Sequence, residues 1–133
     1  MKREILFRGK LSHNNKWLIG NLVFSQEGTP YIIPSGIIEQ DGHHLKIFDD
    51  NAYWVNNDTI GQYIGLKDSC EDHIFEGDIL LIDGGVGVII WDAHSMRWGL
   101  ESPGSCAVDY PTREDYERSK VIGNIYDNEN IIK

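Results

Sequence analysis

Hydrophobic and polar residues alternate with a period of two along several short segments of the chain, and turn-forming residues separate these segments. The first segment runs from Arg3 to Leu11. A period of two is typical of a half-buried β-strand, because successive side chains point to opposite faces. Asn-rich turn residues at 13–16 then lead into a second apolar segment, Trp17 to Phe24. The pattern therefore predicts an N-terminal hairpin.

The middle of the chain predicts more short strands. Tyr31 to Ile33 forms a third apolar segment that ends at a proline, and Ile37 to Phe48 resembles a second hairpin with Asp41-Gly42 at its turn. Asp-Gly favours a two-residue turn because both central positions adopt positive φ. A short strand is expected next at Ala52 to Val55. The segment Thr59 to Leu66 could form either a strand or a one-turn element, because its glycines allow both conformations.

The second half of the chain predicts a meander and one short helix. Asp78 to Ile82 and Val86 to Trp91 are almost wholly apolar and flank the turn residues 83–85, and a third strand follows at 97–101. The segment at 111–118 is the one credible helix, with Thr112 as its N-cap and Asp115 in the position of a capping-box acid. A last strand is expected from 120 to 126.

Length and composition favour one folded domain, 1–133, which can be divided into an N-terminal β lobe, 1–57, and a C-terminal lobe, 58–133. The chain has 133 residues, 41% of them hydrophobic, and a formal net charge of -9. Scattered basic residues and this negative charge disfavour nucleic acid and anionic membranes as partners. The sequence shows no signal peptide or membrane-spanning apolar run, and Cys70 and Cys106 do not make a disulfide framework. A cytoplasmic protein with reduced thiols is expected.

Three segments of the sequence resemble the YopX family of phage and prophage proteins. The opening at 3–8 (REILFR), the central stretch from Thr59 to Ile79 (TIGQY, GLKD and IFEGDI), and VIGNIY at 121–126 match the family signature in order. The region from Ser102 to Ser119 departs from it as an insertion before the closing strand. The loop at 69–73 (SCEDH) also departs, because charge and a thiol replace the turn-forming residues usual there.

The resemblance implies a mainly β fold with an SH3-type small barrel or roll of short antiparallel strands and at most one short helix. It also implies a tendency to self-assemble, and it brings neither a catalytic function nor a cofactor. The family motif is expected to be structural. Its residues are Thr59, Gly61, Gln62, Tyr63, Gly65, Leu66, Glu76, Gly77, Asp78, Gly123 and Asn124.

Two clusters contain residue types that bind metals or perform catalysis. Asp41, His43 and His44, with carboxylates at 49–50 beyond them, are zinc-ligand types, but adjacent histidines on a strand point to opposite faces. Cys70 and His73 have the composition of a thiol nucleophile site, but no oxyanion cradle accompanies them. We therefore expect no metal, no cofactor and no catalytic residue.

Glycines and tryptophans have structural interpretations as well. The glycine-rich residues 84–87 lack the helix and the Lys-Ser/Thr of a phosphate loop, so a hairpin turn is expected there. Gly77 is expected at a corner that feeds the next strand. The four tryptophans are assigned mostly to the core, although Trp91 and Trp98 flank one turn and would form a peptide-binding aromatic surface if exposed.

The leading hypothesis is a non-enzymatic phage or prophage accessory protein that acts as a homo-oligomer or a protein-binding module. Tyr31 to Ile33 and Val86 to Trp91 carry few charges, so as sheet edges they would invite pairing with another chain. The alternatives are a small barrel associated with nucleic acid, disfavoured by the charge, and a hydrolase that uses Cys70 and His73.

Overall fold

The computed structural model describes residues 3–46, 49–105 and 107–131. The chain forms two compact units, Met1–Gln62 (unit 1) and Tyr63–Lys133 (unit 2). None of the helices in these described ranges has the length and apolar character that crossing a membrane would take.

Unit 1 is built on an antiparallel sheet. Its strands are β1 (Phe7–Lys10), β2 (Trp17–Phe24), β3 (Pro30–Pro34), β4 (Glu39–Asp41), β5 (His44–Lys46), β6 (Tyr53–Trp54) and the start of β7 (Gly61–Lys67). The order in the main sheet is β6-β3-β2-β1-β7, and β4 and β5 pair separately as a hairpin. Short 3-10 helices at Asp49–Asn51 and Asn57–Thr59 precede β6 and β7.

Residues on both faces of this sheet are buried, since the neighbouring residues Ile32 and Ile33 of β3 are 0% and 1% exposed. Ile32 and Val55 are fully buried, and a Cβ on Gly9 would lie 3.1 Å from the Val55 Cβ. β1 can therefore approach Val55 this closely only because position 9 has no side chain. A single bridge between Leu11 and Val55 links the residue after β6 to the residue after β1.

Unit 2 contains a five-stranded antiparallel sheet with one helix. β7 continues into it and pairs with β8 (His73–Phe75). The sheet has the order β12-β11-β10-β9-β13, and its elements are β9 (Asp78–Ile82), β10 (Gly85–Asp92), β11 (Arg97–Glu101), β12 (Val108–Asp109) and β13 (Lys120–Asn124). Helix α1 (Arg113–Arg118) precedes β13, and a 3-10 helix at Glu129–Ile131 follows it.

The core of unit 2 lies between one face of the sheet, β8 and α1. Its buried members are Ile74, Leu80, Ile89, Leu100 and Tyr116. Tyr116 is the residue of α1 that enters this core, so the helix is anchored by one aromatic side chain although its other residues are polar. The helix carries the predicted capping box. The Thr112 hydroxyl accepts the Asp115 N–H, and the Asp115 carboxylate accepts the Thr112 N–H.

The mainly β class with at most one short α-helix is confirmed, and so is the β9–β10–β11 meander. Asp83 and Gly84, with φ of 49° and 81°, form the turn between β9 and β10. Strand pairing among the described residues gives open sheets and no closed barrel, so the SH3-type barrel is not seen as such. The division between units falls after residue 62, whereas the sequence suggested 57.

Other strand predictions were wrong in detail. The first strand begins at Phe7 instead of Arg3, and the second hairpin turns at 42–43 with strands 39–41 and 44–46, one residue later than expected. The predicted positions Ile47, Phe48 and Cys106 lie outside the described residues. β3 and β10 each have a partner strand on both sides. Within the segments 31–33 and 86–91, however, only Tyr31, Ile32 and Val88 are paired on both sides.

Candidate functional site

The first motif residues position β1 against β7 within unit 1. Thr59 is buried, and its hydroxyl accepts the Lys10 N–H at 2.9 Å and donates to the Asn56 carbonyl at 2.7 Å. Gly61 and Gln62 then pair with Arg8 and Phe7 of β1. Each of these contacts is made between backbone groups or between the Thr59 hydroxyl and a backbone group. This part of the motif therefore holds neighbouring segments of the chain together.

The Glu76-Gly77-Asp78 part of the motif forms the corner between β8 and β9. Gly77 has φ of +90°, its N–H donates to the Ile89 carbonyl, and its carbonyl accepts the Ile125 N–H. A Cβ at this position would lie 3.1 Å from a ring carbon of Tyr126. The buried Asp78 carboxylate accepts the Phe75 N–H across the turn at 2.7 Å. The predicted corner is therefore present.

The last motif residues end β13. The Asn124 side-chain oxygen accepts the N–H groups of Tyr126 and Asp127, and the Asn128 side-chain oxygen in turn accepts the Asn124 N–H. Gly123 lies so close to the Asn128 side chain that any Cβ there would displace it. The role of Asn128 was not identified from the sequence, because its side chain bonds a backbone group four residues earlier, outside the usual Asx-turn pattern.

Three motif residues line a cleft of about 400 Å³ in unit 2. They are Tyr63, Gly65 and Leu66, and Gly65 has φ of +95° at an irregularity in the β7–β8 register. Arg113 and Glu117 of α1 form part of the opposite wall. In this cleft, motif residues, a loop and a helix surround space for a ligand.

The charges in this cleft are mixed. Arg113 Nε donates to Glu117 Oε1 at 2.7 Å, and this hydrogen bond raises the pKa of the Arg113 guanidinium. Lys67 adds one positive charge, and Asp68 and Glu71 add two negative charges. The cleft therefore contains charges of both signs and does not define a chemical class of ligand.

The loop with Cys70 and His73 is organised by Asp68, a residue to which the sequence analysis gave no role of its own. Asp68 is only 3% exposed. Its Oδ1 accepts the N–H groups of Cys70 and Asp72, and its Oδ2 accepts the N–H of Val121 on β13, each at 2.9 Å. The available signal was an Asp followed by a short polar loop, the usual pattern of an Asx turn.

The chemistry proposed for this loop finds little geometric support. Cys70 is an exposed free thiol, whereas the His73 ring packs against Tyr63 with centroids 4.5 Å apart. Across the described residues, no three His, Cys, Asp or Glu side chains converge to hold a metal ion. His43 lies in the turn between β4 and β5, and His44 begins β5.

A row of apolar side chains crosses the sheet of unit 1 on the face opposite Ile32 and Val55. Val23 pairs with Tyr31, and Tyr31 pairs with Trp54. Directly opposed residues of antiparallel strands point to the same face with Cβ atoms about 5 Å apart, so these three side chains form a continuous row. Trp54 is 58% exposed and Val23 39%, which corrects the assignment of Trp54 to the core.

Basic side chains accompany this row on the same face. Arg8 and Lys10 both lie over the ring of Trp17, at 4.6 and 5.4 Å from its centroid. The strands β1, β2, β3 and β6 contain no acidic residue. We call the set Val23, Tyr31 and Trp54 the unit 1 row.

Unit 2 has a second exposed aromatic position. Trp91 and Trp98 are paired across β10 and β11, with ring centroids 5.0 Å apart in an edge-to-face arrangement. Trp98 packs against the core, but Trp91 is 46% exposed. The assignment to the core therefore fits Trp98, whereas the Trp91 ring is available at the surface.

Comparison with known proteins places the chain by family and by fold. The family described as YopX protein matches residues 6–133. The crystal structure of protein EF1440 from Enterococcus faecalis is similar, with a TM-score of 0.67 and 22% identity over 99% of this chain and 100% of that one. No curated protein matches the sequence. Because the family match spans nearly the whole chain, this protein belongs to the YopX family.

Proposed function

We propose that the protein is a non-enzymatic accessory protein of phage or prophage origin that works in the cytoplasm as a self-associating, protein-binding module. The unit 1 row is the observation that carries this proposal. Trp54 lies on a two-residue strand at the border of the sheet, where the row meets solvent. Exposed aromatic side chains in a fixed row are the usual anchors of protein interfaces.

Charge supports unit 1 as the self-associating surface. Residues 1–62 contain six Lys or Arg and seven Asp or Glu, a net charge of -1, whereas residues 63–133 contain six and fourteen, a net charge of -8. Two copies repel each other least when their nearly neutral units meet. Self-association through the unit 1 row therefore brings apolar groups together while the acidic units remain solvated.

The exposed area indicates that this association is weak. The exposed parts of the unit 1 row and of Ile19, on the same face, amount to roughly 300 Å² per copy, from the areas typical of such side chains. Two copies would then bury about 600 Å², below the 1,200–2,000 Å² of stable interfaces. We expect a dimer that forms at high micromolar concentration and tightens with salt, because salt screens the repulsion between chains of charge -9.

Light scattering tests this proposal with a matched pair of variants. Mass is measured from about 10 µM to 500 µM protein, at roughly 50 mM and 500 mM NaCl. Trp54→Gln should abolish the rise in mass with concentration, whereas Trp91→Gln, a similarly exposed tryptophan in the other unit, should leave it unchanged. The mass of a single chain throughout, or equal effects of both variants, would overturn self-association through the unit 1 row.

The second candidate function is binding of single-stranded nucleic acid by the same face. Lys10 and Trp17 combine a cation with an aromatic ring on strands that lack acidic residues, which is the composition of such sites, whereas Arg8 is buried. The net charge opposes it. Fluorescence anisotropy with a labelled oligothymidine separates the two functions, because nucleic-acid binding weakens steeply with salt whereas self-association strengthens.

A further inference from the structure

Trp91 is an exposed side chain whose ring is supported on one side by a second aromatic ring. The edge-to-face contact with Trp98 fixes one side of its ring, and Trp98 is itself packed against the core of unit 2. A side chain that is immobile before binding loses little conformational entropy when a partner covers it. Trp91 thus has the rigidity and the exposure of an interface anchor.

Met96 is a second exposed apolar side chain, at the turn of the same hairpin. It is 77% exposed, the largest exposure among the large apolar side chains described. The turn is braced by Asp92, whose carboxylate accepts the N–H groups of His94 and Ser95 and the hydroxyl of Tyr110. Met96 is therefore presented by an ordered turn, and its flexible thioether adapts to apolar groups of different shapes.

The charge of unit 2 determines which partner suits this hairpin. The unit carries a net charge of -8, and the Arg97 guanidinium is stacked on the Tyr110 ring at 3.4 Å. The hydrogen bond from Tyr110 lowers the pKa of Asp92, so this carboxylate stays ionised at neutral pH. On the hairpin itself Arg97 offsets Asp92, so it is the net charge of the unit as a whole that favours a cationic partner. The indole ring is the best cation–π acceptor among the side chains.

We propose that Trp91 and Met96 form a docking surface for a basic segment of a partner protein. A Lys or Arg of that segment lies against the Trp91 ring, and a neighbouring apolar side chain packs on Met96. This surface is distinct from the unit 1 row and does not depend on self-association.

Three labelled synthetic peptides test the proposed chemistry by fluorescence anisotropy. The peptides are four repeats of Arg-Leu-Gly, of Glu-Leu-Gly and of Arg-Ser-Gly. Only the first offers both a cation and an apolar group, so it should bind at least about tenfold more tightly than either of the others. Its affinity should fall as NaCl is raised from about 50 mM to 500 mM, the opposite of the salt effect expected for self-association.

The variants assign the binding to the hairpin. Trp91→Gln and Met96→Gln should each weaken binding of the Arg-Leu-Gly peptide by at least about fivefold, and Trp54→Gln should change it by less than about twofold. Met96 is so exposed that its variant retains the fold, which keeps the test valid if Trp91→Gln is unstable. Equal binding of the Arg-Ser-Gly peptide, or unchanged binding by both hairpin variants, would overturn the docking surface. The light-scattering experiment with Trp54→Gln tests self-association, and its outcome does not decide whether the peptide binds to the hairpin.

Discussion

Removal of the Asp68 carboxylate is expected to destabilise unit 2 by about 3–5 kcal/mol. This buried side chain accepts three backbone N–H groups, two from its own loop and one from Val121. A hydrogen bond to a charged group contributes about 1.5–3 kcal/mol, and a buried donor without a partner costs about 1–3 kcal/mol. Cys70 and Asp72 lie on an exposed loop, where water can replace part of the lost hydrogen bonding. The loss in free energy of unfolding for Asp68→Ala is therefore smaller than the sum over three separate hydrogen bonds.

The variant Asp68→Asn distinguishes the contribution of the two loop hydrogen bonds from that of the hydrogen bond to Val121 on β13. In Asp68→Asn, the side-chain oxygen can keep the two loop N–H groups, but an NH₂ group then faces the Val121 N–H. We expect Asp68→Asn to lower the free energy of unfolding by about 2 kcal/mol, because only one of the three hydrogen bonds must break. This loss is smaller than the one expected for Asp68→Ala. Asp72→Ala is the control in the same loop. Its side chain is exposed, so its effect should stay within about 0.5 kcal/mol.

Urea unfolding, followed by tryptophan fluorescence and circular dichroism, measures these differences. The free energy of unfolding is taken from the transition of each variant at a common slope m. Two results would contradict the role given to Asp68. One is a loss below about 1 kcal/mol for Asp68→Ala, and the other is an equal loss for the Ala and Asn variants.

Three further predictions concern the turn, the core and the cap of unit 2. Gly77→Val should lower stability by about 1–3 kcal/mol more than Gly28→Val. Both glycines have positive φ (90° and 87°), but only at Gly77 does a Cβ crowd Tyr126; equal melting temperatures would contradict this. Burial raises the pKa of Tyr116 from 10.0 to about 12. The unfolded chain therefore loses this proton first, and stability should fall by roughly 1–2 kcal/mol as pH rises from 10 to 12. Tyr116→Phe should remove that fall in stability. It should not destabilise the protein at pH 7, because the Tyr116 hydroxyl finds no hydrogen-bond partner among the described residues. Unfolding curves from pH 7 to 12 that match those of the parent protein would refute this. Thr112→Ala should cost about 1 kcal/mol by removing the N-cap, and unchanged thermal unfolding would contradict that role.

The sequence alone determined those features that depend on near neighbours in the chain. The turn at Asp83-Gly84 needs two adjacent residues with positive φ, and the capping box needs Thr112 and Asp115 three residues apart. Period-two alternation likewise predicted the N-terminal hairpin, and apolar runs separated by turn residues predicted the β9–β10–β11 meander. Each of these signals acts over a few residues, so a single sequence contains all the information required.

Only the tertiary structure decided the features that join distant segments. Asp68 and Val121 are 53 residues apart, and nothing local marks the carboxylate as the acceptor for that strand. The exposure of Trp54 and the burial of Tyr116 likewise depend on which segments pair and pack around them. Hydrophobicity indicates that a side chain favours burial, but the order of strands in the sheets determines which side chains are covered and which remain available to a partner.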